Sequence, residues 1–527
     1  MTTTAPHSEA APDARRWKAL VVLALSLLVI CVDNTILNVA LPSIGSELDA
    51  DSSQLQWIVD SYMLVFAGLL LVCGALGDRF GRRRALFAGL IIFGAGSLLA
   101  ALSGSAHALI ASRALMGVGA AAIMPATLSI LTNIFPAEER PKAIAAWAAV
   151  SGLGIVLGPI TGGLLLEEFS WTSVFLVNLP LVAAALVAGA VLVPESRDPA
   201  AHRIDLVGAL LSIAGLTAVV WGLIEASDRG WTDTAVLAAL AGGLLVLGAF
   251  LAWERRVAHP MLDIRIFRNL RFSAASISIT LAFFALMGSS FLLTSYLQTV
   301  MGYGALEAGV RMLPVAAGMV VGSRISIALV QRIGTKLVVA AGLAIVAAAL
   351  GLLSTAPVES GYELLATAMT LMGLGLALAM APATEAIMGS LPAAKAGVGS
   401  AVNDLVREVG GTIGVAILGS ILANSYEGGM DGAAAGLEPD AASAAADSVG
   451  GAHEVAAGLG GETAARLVSA ADHAFIDAMT TTTSVAAVVA LLGAAVALAF
   501  LPARERQARH PAASGWRWRW PDARART

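Results

Sequence analysis

The sequence predicts an all-α polytopic membrane protein of fourteen spanning helices, arranged as two six-helix bundles plus two inserted helices, with both termini cytoplasmic. Three observations predict it. Of 527 residues, 57% are hydrophobic and 13% charged, with a mean hydropathy of +0.80, a balance that no soluble domain carries. Fourteen apolar runs each approach the ~20 residues that a helix needs to cross ~30 Å of hydrocarbon. A short loop of glycine and basic residues occurs twice, eight runs apart.

The elements follow in order. Residues 1–17 form a polar cytoplasmic tail; they lack the short apolar core and small-residue cleavage site of a signal peptide, so the first helix is read as retained. Segments 1 to 6, at 18–41, 55–76, 84–103, 107–131, 142–166 and 173–193, make an N-terminal bundle over 18–193. Segments 7 and 8, at 205–225 and 233–253, form the inserted pair within 194–256. Segments 9 to 14, at 273–298, 308–330, 337–355, 362–388, 398–422 and 474–501, make a C-terminal bundle over 257–502. Between the last two lies the longest outer loop, 424–471, rich in Gly and Ala and dotted with acids. It reads as flexible with at most one helical turn, either a tolerated insertion or a lid over the outer mouth. A basic and Trp-rich cytoplasmic tail, 503–527, closes the chain, and Trp516-Arg517-Trp518-Arg519-Trp520 suits an anionic membrane interface or an unstructured end.

Loop charges test the count. The loop Leu76-Gly77-Asp78-Arg79-Phe80-Gly81-Arg82-Arg83-Arg84 holds four arginines, which are hard to translocate, so it is assigned to the cytoplasm. Alternation then places Arg15, Arg16 and Lys18, Arg140 and Lys142, Arg197 and Arg203, Arg255 to Arg271, Arg332 and Lys336, Lys395 and the C-terminal arginines inside. The outer loops keep only Arg229 and Arg466. One missed or invented helix would spoil this asymmetry.

The repeat gives the architecture. Leu329-Val330-Gln331-Arg332-Ile333-Gly334-Thr335-Lys336, after segment 10, aligns with Leu76-Gly77-Asp78-Arg79-Phe80-Gly81-Arg82-Arg83, after segment 2, with Gln331 in the place of Asp78. A spacing of eight is what two six-helix bundles give when a pair is inserted between them. Duplicated bundles around a midplane site are the build of many secondary transporters.

Here the residues resemble the major facilitator superfamily and, within it, the fourteen-helix drug:proton antiporters. The family's helix 2–3 signature is matched by Gly77, Asp78, Arg79, Gly81, Arg82 and Arg83, and its helix 4 signature by Arg113 with Gly117 and Gly119. The helix 5 antiporter signature is matched by Gly154, Gly158, Pro159, Gly162 and Gly163. The runs Asp33-Asn34-Thr35-Ile36-Leu37-Asn38-Val39-Ala40-Leu41-Pro42 and Trp171 to Pro180 also resemble that branch. The resemblance implies a conformational latch in the 2–3 loop: Asp78 pairs with arginine or a helix end, while Gly77 and Gly81 permit close backbone approach. It also implies that the bend at Pro159 sets antiport by sealing a leak. Small residues at four-residue spacing equally suit plain packing.

Charges inside apolar runs are costly in hydrocarbon, so they imply a cavity or a partner. Segment 1 enters from inside near Lys18, which puts Asp33 ~22 Å along; segment 4 enters from outside near His107, which puts Arg113 ~9 Å down. The two fall at similar depth, with Asp60 near them. A carboxylate beside an arginine is tuned both ways, by burial and by the cation. Proton or substrate coupling and a purely structural pair are both compatible with it. In segment 13, Asp404 and Glu408 share a face with Arg407 three residues from Asp404. This set is either an acidic site facing the cytoplasm or a charge cluster satisfied within itself. Glu385 and Asp477 are weaker candidates near the interfaces.

No enzyme constellation and no phosphate-cradling loop appears. Cys31 and Cys73 lie in apolar runs, which excludes a disulfide framework or thiolate metal site. No cofactor and no metal is expected; the energy source is a proton gradient. The expected partners are small-molecule drugs or metabolites, protons and the lipid bilayer, without nucleic acid, and the expected state is a monomer. The expected function is proton-coupled efflux of lipophilic, often cationic compounds across a bacterial cytoplasmic membrane. A narrow exporter of one antibiotic or metabolite, and a sensor or assembly factor that binds without moving its ligand, are the rivals.

Overall fold

Fourteen helices in the computed structural model are long and apolar enough to span a membrane. The structure describes residues 15–198, 205–258, 260–356, 361–430, 432–433 and 437–502. The Trp516 to Trp520 stretch lies outside the described residues. The spanning helices are α1 (Arg16–Leu48), α2 (Ser53–Phe80), α3 (Arg82–Ala101), α4 (Ala106–Ile134), α5 (Arg140–Glu168), α6 (Ser173–Leu192) and α7 (Leu206–Ala226). They continue as α8 (Thr234–Glu254), α9 (Leu270–Val300), α10 (Leu306–Ile333), α11 (Thr335–Leu353), α12 (Tyr362–Met388), α13 (Ala393–Met430) and α14 (Gly461–Phe500). Among the described residues there is no strand.

Polar residues at the apolar boundaries cap these helices, which satisfies backbone N–H groups that no intrahelical carbonyl reaches. Asp51 forms a capping box with Gln54 before α2, and Ser105, Asp205 and Asp233 accept from the first turns of α4, α7 and α8. Gly81 is the sole residue between α2 and α3, at φ 119°, and Gly334 is the sole residue between α10 and α11, at φ 87°. Both backbones occupy the region that a Cβ disfavours, so the loop repeat is a repeat of conformation.

The packing repeats as well. In the first half α2 packs on α4, α3 on α4, α1 on α5, α1 on α6 and α3 on α6; in the second, each contact recurs eight helices later. Small residues permit the closest crossings, as packing without a hydrophobic drive between helices requires. A Cβ on Gly89 of α3 would lie 2.8 Å from the Gly119 carbonyl of α4, and one on Gly342 of α11 would lie 2.6 Å from the Gly375 carbonyl of α12. The halves meet along two seams, α2 with α13 and α5 with α10, backed by α4 with α13 and α5 with α12. Of the inserted pair, α7 packs on both α2 and α13, while α8 rests mainly on α7.

The stretch 424–471 differs from the flexible loop expected of it. α13 runs on to Met430, two helices follow at Pro439–Asp447 and Val449–Leu459, and α14 begins at Gly461, well before residue 474. The Tyr426 hydroxyl donates to the Ala445 carbonyl at 3.0 Å, and His453 Nε2 lies 2.8 Å from Asp472 Oδ1, tying the hairpin to α13 and α14. Alanine is the strongest helix former, so an Ala-rich stretch needs little more than these contacts to order it.

Candidate functional site: buried charges in the two halves

Asp33 and Arg113, on helices that run in opposite directions, meet. Arg113 Nη1 donates to Asp33 Oδ2 at 2.5 Å, with both side chains 1% exposed. The other carboxylate oxygen accepts from Asn178 Nδ2 of α6 at 2.9 Å, and the same amide reaches Ser97 Oγ of α3 at 3.1 Å. Ser97 in turn donates to the Phe175 carbonyl at 2.8 Å. Arg113 Nε donates to the Ile58 carbonyl at 3.1 Å, and its guanidinium lies 4.4 Å from the Tyr62 ring centroid. The carboxylate thus has a cation and an amide donor, and the cation has a carboxylate, a carbonyl and an aromatic face. Tyr62 is fully buried, and its hydroxyl has no hydrogen-bond partner. Asp60 sits half-buried on α2, two residues beyond Ile58.

The glycines of α5 press on the turn of α1 that carries Asp33. A Cβ on Gly154 would strike Cys31, one on Gly158 would strike Thr35, and one on Gly162 would lie 3.0 Å from Ile36 Cγ1. Thr35 Oγ1 donates to the Gly154 carbonyl at 3.1 Å. The far side of the same run meets the second half: a Cβ on Gly163 would lie 3.1 Å from Leu306 Cβ, and one on Gly309 would lie 2.9 Å from Pro159 Cβ. The glycine run is therefore a two-sided contact between α1 and α10.

The α13 charges are arranged otherwise. Asp404 and Arg407 form no ion pair; Asp404 Oδ1 accepts from Asn403 Nδ2 at 3.2 Å, and Arg407 Nη2 donates to Thr384 Oγ1 at 3.2 Å. Thr384 Oγ1 itself donates to Asn403 Oδ1 at 3.1 Å. Asp404 Oδ2 and Arg407 Nε are buried without a hydrogen-bond partner. The reading of a cluster satisfied within itself fails here, because the three-residue spacing brings the two charges near but the guanidinium turns elsewhere. It lies 4.8 Å from the Trp147 ring centroid of α5 and 5.4 Å from that of Phe283 of α9. Glu408 is half-buried on the same helix.

At the end carrying the 2–3 loop, Asp78 accepts from the Gly397 and Val398 backbone N–H groups at 2.8 and 3.1 Å, at the start of α13. Arg82 donates to Asp78 at 2.6 Å and to the Ala393 and Ala394 carbonyls at 2.8 and 2.9 Å. A carboxylate on helix N-terminal amides and an arginine on the carbonyls beside them make a two-way clasp between the halves. Two expectations for this loop need correction. Gly77 has no close approach, since its Cβ would meet only Ala85 at 3.4 Å; the close approach is made one turn earlier, where a Cβ on Gly74 would lie 2.6 Å from the Gly397 carbonyl. Arg79 stacks 5.0 Å from the Phe80 ring, and Arg83 donates from Nη1 to the Val193 carbonyl and from its backbone N–H to Glu195 Oε1, so none of these contacts reaches the second half.

Sequence reading named Asn178 only as part of the Trp171 to Pro180 run, without a role, and missed Ser97, Tyr62, Trp147 and Thr384. Asn178 alone carried a signal, a lone amide in a run of apolar residues. Two charges inside α10 were also passed over: Arg311, which lies 3.8 Å from the Tyr303 ring, and Arg324, which is exposed.

Fourteen helices long and apolar enough to span a membrane, in two repeated halves with buried charges in each and contacts between them, are the architecture of a polytopic membrane protein. Residues 23–415 match the family profile of the Major Facilitator Superfamily. The chain belongs to that superfamily. It is 39% identical over 483 residues to the multidrug efflux pump LfrA of Mycolicibacterium smegmatis, covering 92% of this chain and 95% of that protein. It is 34% identical over 491 residues to the tetracenomycin C resistance and export protein of Streptomyces glaucescens, covering 92% and 91%. Among solved structures, the human organic anion transporter MFSD10 superposes with a TM-score of 0.61 at 14% identity, over 92% of this chain and 99% of that one. The last likeness concerns the fold alone. The family and the relatives carry the function: this is a membrane transporter.

Proposed function

We propose that the chain is a secondary active exporter that exchanges protons for lipophilic, often cationic drugs by alternating access in a bacterial cytoplasmic membrane, with the 2–3 loop and both termini on the cytoplasmic side. The observation that carries the reading is the Asp33–Arg113 pair, buried within the first half beneath the glycines of α5. Neutralising Asp33 removes the charge that holds Arg113, and the turn of α1 that moves with it is the turn on which Gly154 and Gly158 rest. A proton arriving at Asp33 is thereby felt at the α5–α10 seam. Asp404 and Glu408, on the opposite half, give a second acidic stop for a proton or a cationic substrate. Asp78 and Arg82 clasp the cytoplasmic end in the conformation described. No site for a bound cofactor is invoked, and the chain works as a monomer; the membrane potential supplies ~2.3 kcal/mol per charge per 100 mV.

Ethidium accumulation in energised cells tests this, with Asp33→Asn at equal expression and a protonophore control. Wild type lowers cell-associated dye several-fold, and both the mutation and the protonophore abolish the difference. Pumping by Asp33→Asn at the wild-type rate would remove Asp33 from the coupling role. A narrow antibiotic exporter is the second reading, favoured by the tetracenomycin C relative; it predicts that one compound is expelled while ethidium is not.

A further inference from the structure

A buried guanidinium has five N–H donors and ordinarily finds oxygen for most of them. Arg407 is 5% exposed and gives one hydrogen bond, to a threonine hydroxyl. Its Nε has no partner, and Asp404, three residues before it on α13, keeps a buried carboxylate oxygen unpartnered. In return the guanidinium has two aromatic faces, Trp147 from the first half and Phe283 from the second, both within the ~6 Å at which a ring attracts a cation. Trp147 is fixed by its own hydrogen bond from Nε1 to Thr127 Oγ1 at 3.2 Å. An arginine whose task was to pin helices would be expected to turn to the open carboxylate oxygen beside it. Apart from that one hydrogen bond, its contacts are ones that any flat cation makes equally well.

We propose that Trp147, Phe283 and Asp404 form the recognition site for planar lipophilic cations, and that the Arg407 guanidinium is a tethered occupant that such a substrate displaces. The inference rests on the exporter reading above and names the substrate class for it. The rings bind the flat face of the cation, Asp404 supplies the counter-charge, and no directional hydrogen bond from the substrate is needed, which suits a site that accepts many compounds. Because one ring comes from each half, an occupant bridges the seam. When the substrate leaves, Arg407 returns, so the acidic, aromatic space is never left without a cation.

Binding to the purified full-length protein in lipid nanodiscs tests this, with ethidium as the planar cation and Nile red as an uncharged comparison, read by fluorescence anisotropy. With its competitor removed, Arg407→Gln binds ethidium about tenfold more tightly than wild type, and Nile red within about twofold. In the Arg407→Gln background, Trp147→Leu then weakens ethidium about tenfold and leaves Nile red unchanged. Arg407→Lys, whose ammonium is more strongly hydrated and stacks less well, gives an intermediate gain in ethidium affinity and serves if the glutamine variant does not fold. Unchanged or weaker ethidium binding by a monodisperse Arg407→Gln or Arg407→Lys protein overturns the tethered occupant, as does an equal change for both dyes. Either result leaves the exporter reading intact if wild-type cells still expel ethidium. A wild-type protein that neither binds nor expels ethidium overturns both.

Discussion

The two halves share one helix-packing plan and differ in what they bury. In the first, Asp33 and Arg113 are matched to each other and to Asn178, Ser97 and a backbone carbonyl, five helices contributing to one network. In the second, Asp404 and Arg407 lie three residues apart on one helix and yet are not bonded, and the cation faces rings on either side of the seam. The comparison teaches that a duplicated scaffold fixes where helices cross and not how their polar groups are used. One half has an ion pair that resists disturbance, and the other has charges poised to change partners.

Removing one cation from each half separates these cases most sharply. Arg113→Met leaves Asp33 buried without its partner, a change that costs about 3–5 kcal/mol where a buried pair is broken. Arg407→Met removes one hydrogen bond to a neutral hydroxyl and two ring contacts and breaks no bonded ion pair, so the loss expected is smaller, about 2 kcal/mol. Thermal unfolding of the two purified variants should therefore differ, and equal losses would erase the distinction between the halves.

A smaller effect is expected at the seam beside the 2–3 loop. Gly74→Ala places a Cβ 2.6 Å from the Gly397 carbonyl, so α2 and α13 must part. Asp78 then loses its two amides on α13. A cysteine pair across this seam, one on each half, should crosslink more slowly in Gly74→Ala than in its absence, while Gly77→Ala, with room at 3.4 Å, leaves the rate unchanged.

The smallest effect is at the surface. Arg16 donates to Glu139 at 2.8 and 2.9 Å, joining the start of α1 to the turn before α5, and these bonds hold the Glu139 carboxyl below its usual range. A carboxyl lowered on folding contributes stability above its unfolded pKa of about 4.3 and loses it as pH falls through the folded value. Glu139→Gln should therefore lower the melting temperature slightly at neutral pH, and the difference should vanish in acid.

Much of this was legible in the sequence, for reasons that can be traced. The spans follow from hydrocarbon thickness, and the equal depth of Asp33 and Arg113 follows from the helical rise alone. The loop repeat carried its meaning in Gly81 and Gly334, which both take positive φ. Rotational register was not legible. Spanning helices such as α5 and α9 are apolar nearly all round, so periodicity does not say which side of α5 Trp147 occupies or that Phe283 faces it. Asp404 and Arg407 left two readings open for the related reason that i,i+3 spacing permits a contact without requiring one. The hairpin before α14 was misjudged because low complexity was weighed above the helix propensity of alanine.

Gly81 and Gly334 have a mechanical consequence. Each is a link of one residue, about 3.8 Å of chain, between helices that cross the whole membrane. A joint so short has no slack: α2 cannot slide along α3, nor α10 along α11, without unwinding a turn. Each pair acts as a stiff hairpin, and displacement during a cycle is thrown onto the contacts between hairpins. The molecule is in this respect closer to a pair of jaws than to a deformable tube.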